Sequence, residues 1–205
     1  MKKNKKRFVV LVLALILSAL PLFSLTASAV PHTVIKGESL WLIAKKYQVG
    51  LSEIIAANPQ IPNPDLIYPK QIIEVPLLDQ GILDYEAEVI RLTNLKRTQN
   101  GLSALKTNWE LSRVARYKSQ DMHDRKYFAH QSPTYGSPFE MMKKFNIKYS
   151  TAGENIAKGQ KTPAAVVEAW WNSPGHKANI LNASFKQIGV GYVADGNYWT
   201  QMFIG

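Results

Sequence analysis

The 205-residue chain contains no cysteine. That excludes a disulfide framework, thiolate-bound zinc, cysteine-ligated iron–sulfur clusters and a cysteine nucleophile. Histidine is scarce too, so imidazole chemistry is confined to His32, His123, His130 and His176. No internal repeat, low-complexity tract or Ser/Gly-rich linker is visible. Beyond residue 82 neither G-x-S-x-G nor H-E-x-x-H occurs, so the two standard hydrolase routes lack their motifs. What remains is a globular composition, 46% hydrophobic and 20% charged, which argues against a disordered or fibrous chain.

The one long apolar run lies at the N-terminus. Lys2, Lys3, Lys5, Lys6 and Arg7 form a basic head, Phe8 to about Leu25 is apolar apart from the break at Pro21, and Ala27-Ser28-Ala29 follows. This is the pattern of a secretory signal peptide over residues 1–29, cut after Ala29. An uncleaved anchor is the rival reading, because the run is nearly long enough to span a bilayer. Pro21 and the small-residue site favour cleavage, and no stable membrane insertion is expected afterwards. The formal charge of +10 falls to +5 in the mature chain, since five cations and no anions leave with the leader. Export argues against a nucleic-acid partner. A modestly cationic exported protein is drawn instead to anionic wall polymers or head groups.

Residues 31–76 carry four lysines and four acids, a net charge of zero, so the rest of the mature chain holds all the excess. His32 to Ile35 reads as a strand. Gly37-Glu38-Ser39 supplies a turn and a helix N-cap, and Leu40, Ile43, Ala44 and Tyr47 recur at helical spacing. A second helix, Ser52 to Ala57, stops at Asn58-Pro59. A proline-rich loop leads to a closing strand, Ile72 to Val75.

This strand–helix–helix–strand block resembles a LysM module. The resemblance rests on His32-Thr33-Val34, Gly37-Glu38-Ser39-Leu40-Trp41, Ile43-Ala44, Ile54, Ala57-Asn58-Pro59, Ile67-Tyr68-Pro69 and Gln71-Ile72. Two positions depart from the family pattern: Lys70 stands where glycine is usual, and Gly50 where a capping Ser or Thr is common. The resemblance implies binding of N-acetylglucosamine glycans, chiefly peptidoglycan and chitin. It places the groove between Gly37, Glu38, Ser39 and Leu40 on one side and Asn63, Pro64, Asp65, Leu66 and Ile67 on the other. Backbone amides and apolar faces in proline-fixed loops suit a neutral sugar. Leu40 and Ile67 are equally readable as core.

Residues 77–83 form a short apolar junction, too stiff for a free swing. A helix is expected from near Asp84, a second after a cap at Thr107 or Asn108, a third over 138–145, and two more from Thr162-Pro163 and Ser173-Pro174. The end alternates as a hairpin around Asp195-Gly196-Asn197. Helices first and a hairpin last imply an α+β domain over 84–205.

That domain is similar to the CAP family of cysteine-rich secretory, antigen-five and pathogenesis-related proteins, in its cysteine-free bacterial branch. The matching strings include Tyr127-Phe128-Ala129-His130, Gly153-Glu154-Asn155, Ser173-Pro174-Gly175-His176, Asn179-Ile180-Leu181 and Ile188-Gly189-Val190-Gly191-Tyr192. The resemblance implies an α–β–α sandwich with two histidines and two glutamates in a cleft, which fall on His130, Glu154, Glu168 and His176. Family members have been seen with metal there, yet no shared activity is established. His130 and His176 are the candidate ligands for zinc or another divalent metal, with Glu154 or Glu168 as orienting group or base. Two ligands are fewer than catalytic zinc usually has. Ser173 reads as a helix cap rather than a nucleophile, His123 as a surface residue, and His32 has no evident partner. Sterol or fatty-acid binding, found in some eukaryotic relatives, uses features not visible here.

Two functions follow. One is an exported wall protein, anchored on peptidoglycan by the LysM module, whose CAP cleft serves recognition or assembly at the cell or spore surface. The other is a metal-assisted hydrolase of wall peptide or glycan, with the four cleft residues as catalytic groups.

Overall fold

The structure, a computed structural model, describes residues 28–205. The expected leader over 1–29 falls on residues 1–27, outside the described residues, and on Ser28 and Ala29. Those last two begin strand β1 (Ser28–Thr33), which pairs antiparallel with β2 (Ile72–Leu77) from Ser28↔Leu77 to Thr33↔Ile72. The strand starts four residues before the expected one, because the ladder partners Pro76 and Leu77 extend it past Pro31.

Between these strands lie α1 (Leu40–Tyr47) and α2 (Leu51–Ala57). Ser39 caps α1 by accepting from the Leu42 amide. Val34, Leu40, Ile43, Ile54, Ile73 and Val75 form the small core. Asn58 ties the layers together: its amide group donates to the carbonyls of Ile54 and Glu74, and its side-chain oxygen accepts from the Glu74 amide. Lys70 sits at φ +75, a backbone conformation that favours glycine. The departure at that position therefore lands on a left-handed turn.

The junction is shorter than expected. Helix α3 (Gln80–Gln99) starts a turn before Asp84, because Asp79 accepts from the Ile82 amide and caps it there. Only two residues separate β2 from α3.

The second domain is built on a four-stranded sheet in the order β3 (Lys106–Thr107), β5 (Gln187–Val193), β6 (Tyr198–Ile204), β4 (Ala152–Lys158). The β3–β5 pair is parallel and the others are antiparallel. Helices α3, α6 (Pro163–Trp171) and α7 (Pro174–Ile180) cover one face, where Val89, Val166, Trp170, Ile180, Trp199 and Phe203 pack together. Helices α4 (Trp109–Asp124) and α5 (Pro138–Lys144) cover the other, against Met202 and Ile204. Strand alternation sends Phe203 to one layer and Met202 and Ile204 to the other. This is the expected α–β–α sandwich. Gly189 and Gly191 let α4 lie directly on β5, since a Cβ at either would collide with the backbone of Leu111–Ser112 or Ala115–Arg116.

The caps read from sequence hold for α4 (Asn108 accepts from the Leu111 amide) and α6 (Thr162 accepts from the Ala165 amide), and α5 adds a Ser137–Glu140 capping box. Ser173 occupies the N-cap position of α7, but its side chain makes no capping bond.

Candidate functional site

The sheet order explains where the second-domain site forms. β4 is an edge strand, so the two helical layers can approach each other across its free side. Successive β4 residues face opposite layers. Glu154 meets the loop after α4, while Asn155 meets α7.

His130 projects from that loop and is half exposed, whereas the Glu154 side chain is 2% exposed. His130 Nδ1 lies 2.7 Å from Glu154 Oε1. With the proton on Nδ1, this bond leaves Nε2 free to act as a ligand or base. Glu154 Oε2 is buried without a hydrogen-bond partner among the described residues. Burial pushes the Glu154 carboxyl above its ordinary value, against the pull of His130 and the nearby Lys118 charge.

His176 enters from the third position of α7. Its backbone carbonyl accepts from Asn155 Nδ2, and Asn155 Oδ1 accepts from Asn179 Nδ2 on the same helix. Asn155 also donates to Gln201, which donates to Thr93 on α3. This chain of buried amides holds α7 against β4. Partial burial, then the charge of His130, lowers the His176 pKa, so a neutral imidazole is favoured near neutral pH. His130 and His176 are thus electrostatic neighbours with Glu154 behind one of them.

Glu168, the fourth expected cleft residue, is placed elsewhere. It is exposed on α6, where its carboxylate pairs with Lys96 at 3.1 Å and accepts from Asn172. The reason is helical phase. Trp170 faces the core, with its indole donating to the Ile156 carbonyl. Glu168, two residues earlier, points about 200° away. Among the described residues no group of three or more His, Asp or Glu side chains is arranged to hold a metal. The two imidazoles, His130 and His176, would be the donors to any divalent cation, with Glu154 orienting the first. A cation there would complete its shell with solvent.

The turn expected to face a glycan is also redistributed. Leu40 is 2% exposed and belongs to the small core, so only its backbone is available to a ligand. Glu38 is committed within the protein: Oε2 accepts from the Ile35 amide at 3.0 Å and meets His32 Nε2 at 2.8 Å. These bonds hold the Glu38 carboxyl below its ordinary value, the Ile35 amide first and His32 second. His32, which had no evident partner, therefore braces the Gly37 turn and also touches the Tyr47 hydroxyl at 3.1 Å. Gly37, Ser39, Asn63, Asp65 and Leu66 stay exposed, while Pro64 and Ile67 are half-buried. The side-chain oxygen of Asn63 accepts from the Asp65 amide and its carbonyl from the Leu66 amide, which shapes the opposite loop.

Two cations that the sequence does not mark as buried hold loops in this domain. Arg97 donates to the carbonyls of Ser103, Ile180 and Asn182. Lys118 donates to those of Ala129 and His130. In the sequence Lys118 has Asp121 three residues on and reads as half of a solvated helix pair, and Arg97 has no acid at helical spacing.

The cysteine-rich secretory protein (CAP) family matches residues 90–203 and the LysM domain matches residues 32–76. The chain belongs to the CAP family and carries an N-terminal LysM domain, a module that binds N-acetylglucosamine glycans. It is 64% identical over 121 residues to YkwD of Bacillus subtilis (strain 168), across 59% of this chain and 47% of YkwD. Over 45 residues, 22% of this chain, it is 53% identical to SpoIVD-associated factor A of the same organism and covers 12% of that protein. An extracellular SCP-domain protein from Bacillus anthracis str. Ames superimposes with a TM-score of 0.58 at 33% identity, over 66% of this chain and 47% of that one. The chain spans about half or less of the length of the curated relatives it matches. Among the described residues, no helix is long and apolar enough to cross a membrane.

Proposed function

We propose that this is an exported wall-associated protein whose LysM module anchors it to peptidoglycan and whose CAP domain presents the His130–Glu154–His176 site for recognition or assembly at the cell or spore surface. The observation that carries the reading is the division of labour between the two domains. The glycan module offers a turn-built surface around Gly37 and Leu66, and the CAP site offers two imidazoles at a sheet edge with one sequestered carboxylate. The likeness to an extracellular protein supports export, and the likeness to SpoIVD-associated factor A supports a spore setting.

A second reading, a metal-assisted wall hydrolase, is favoured by one observation: Glu154 Oε2 is unpartnered while Oε1 binds the His130 imidazole. In that reading His130 and His176 hold a divalent cation such as zinc and Glu154 handles the proton. The set of two nitrogen donors is thin for this task.

Co-sedimentation with purified sacculi tests the anchor. The intact protein should pellet, and removal of residues 31–76 should abolish most of it. Equal pelleting of the truncated protein would make the cationic CAP region the wall binder. Zinc titration tests the metal reading, which fails if the His130→Ala/His176→Ala variant binds zinc as well as the parent.

A further inference from the structure

Lys118 lies in the middle of α4 with its side chain fully buried. Among the described residues it forms no ion pair within bridging distance. Its ammonium instead donates at 2.8 Å to the Ala129 carbonyl and at 2.8 Å to the His130 carbonyl, with the Tyr127 hydroxyl at 3.2 Å. An ammonium has three donors, and all three are spent on one loop. Burying a charge this way is costly. A methionine would fill the same space without that cost, so simple packing does not explain a lysine.

Asp121 is one turn further along the same face of α4. Its Oδ2 accepts from Ser132 Oγ at 2.6 Å and from the Tyr127 hydroxyl at 2.5 Å, and its Oδ1 accepts from Thr134 Oγ1. Arg125 reaches the same carboxylate from outside. The loop from Tyr127 to Thr134 has no helix or strand of its own to hold it. It is held from below by a cation at its centre and an anion at both flanks, both on one rigid helix. The exposed His130 ring is what this loop presents.

We infer that Lys118 is the positioning residue of the candidate CAP site, its buried ammonium fixing the backbone of Ala129 and His130 so that the His130 ring is delivered to Glu154. The inference rests on the proposed His130–Glu154–His176 site and adds the group that builds it. Asp121 sets the loop's ends, and Lys118 sets the residue that matters.

The test uses the intact two-domain protein. The Nδ1 proton of His130, bonded to the Glu154 carboxylate, is observed by proton–nitrogen NMR and assigned by its loss in His130→Asn. In Lys118→Met that resonance should vanish or broaden beyond detection, and any zinc affinity of the parent should fall by about 10- to 100-fold, the range for loss of an outer-shell support. Rescue exploits the cysteine-free chain. Lys118→Cys, alkylated with 2-bromoethylamine in denaturant and refolded, regains an ammonium at the same reach and should regain the resonance. A merely space-filling role predicts the opposite pattern, with Lys118→Met keeping the resonance at its parental position, and that result overturns the inference. Should Lys118→Met not fold, the alkylated and unalkylated Lys118→Cys proteins make the same comparison, and equal His130 resonances in the two overturn it. The NMR readout needs no metal. Loss of the resonance in a protein whose parent binds no zinc would refute the metal reading and leave the positioning role standing.

Discussion

Arg113 of the CAP domain grips Glu53 of the LysM module with two hydrogen bonds, Nε to Oε1 at 2.6 Å and Nη2 to Oε2 at 2.8 Å. A third bond reaches Ser52 Oγ. The guanidinium also stacks over Tyr117 and Phe145, each 5.3 Å from the ring centre. Burial pushes the Tyr117 phenol up to about 12, with Glu53 adding to it. The two domains are therefore latched, and the short junction at Leu78-Asp79 is consistent with that.

Arg113→Ala should open the latch. A half-buried bidentate pair of this kind contributes about 1 kcal/mol, so the global midpoint should fall only slightly. The clearer signal is a larger radius of gyration by small-angle scattering. Burial raises the Glu53 carboxyl, but the bonds and charge of Arg113 outweigh it and leave the pKa lowered. A lowered carboxylate stabilises above its unfolded value and loses that contribution as pH falls through the folded one. The parent should thus approach the dimensions of Arg113→Ala in acid.

Gly50 explains one departure from the LysM pattern. As the N-cap of α2 it provides no side-chain bond, and a Cβ there would collide with Glu53 Oε2 and the Arg113 guanidinium. Gly50→Ser should therefore fail to gain the usual capping benefit of about 1 kcal/mol. It should expand the protein as Arg113→Ala does. In an isolated LysM module, where Arg113 is missing, the same substitution should stabilise, as chemical denaturation would show.

Leu40 and Leu66 should separate core from ligand surface. Leu40→Ala empties a buried position and should cost about 2–5 kcal/mol in module stability. Leu66 is about half exposed, so Leu66→Ala should leave the melting temperature unchanged. It should weaken binding of a chitin oligosaccharide about 3- to 10-fold, equivalent to about 1 kcal/mol of apolar contact. Thermal unfolding reads the stabilities and isothermal titration the affinity.

His123 gives a pH signature far from either site. Its ring nitrogens meet Asp124 Oδ1 at 2.6 Å and Asp195 Oδ2 at 2.8 Å, joining α4 to the β5–β6 turn. The hydrogen bonds to Asp124 and then Asp195 raise its pKa above 6.5. A raised histidine stabilises fully below its unfolded value and loses that contribution as pH rises through the folded one. His123→Gln should therefore be less stable than the parent near pH 5 and nearly equal to it near about pH 9. Denaturant midpoints at those two values check it.

Local chemistry was the legible part of this chain. The helix starts at Asn108, Thr162 and Ser173, the Asp195-Gly196-Asn197 turn and the core spacing of Ile43, Ile54 and Val166 depend on neighbours within a few residues. Strand β4 was read only as a motif, because Gly153-Glu154-Asn155 looks polar and its burial comes from β6 and α7, far along the chain. The burial of Lys118 and Arg97 is hidden for the same reason, since their partners are backbone carbonyls outside their own helices. Family resemblance puts Glu168 in the cleft, while its phase relative to Trp170 points it outward. The turn at Gly37 is legible from its glycine, but the contact it makes between His32 and Glu38 is not, since it depends on the φ of +92 there.

The most direct test of the central claim is a sacculus digest. Residues 30–205 would be incubated with purified peptidoglycan, with and without zinc, beside the His130→Ala/His176→Ala variant, and soluble fragments read by mass spectrometry. An anchored recognition protein predicts binding by both proteins and no fragments above background from either. Fragments that require both histidines would contradict it and make the CAP site a wall hydrolase, with the fragment masses naming the bond that is cut.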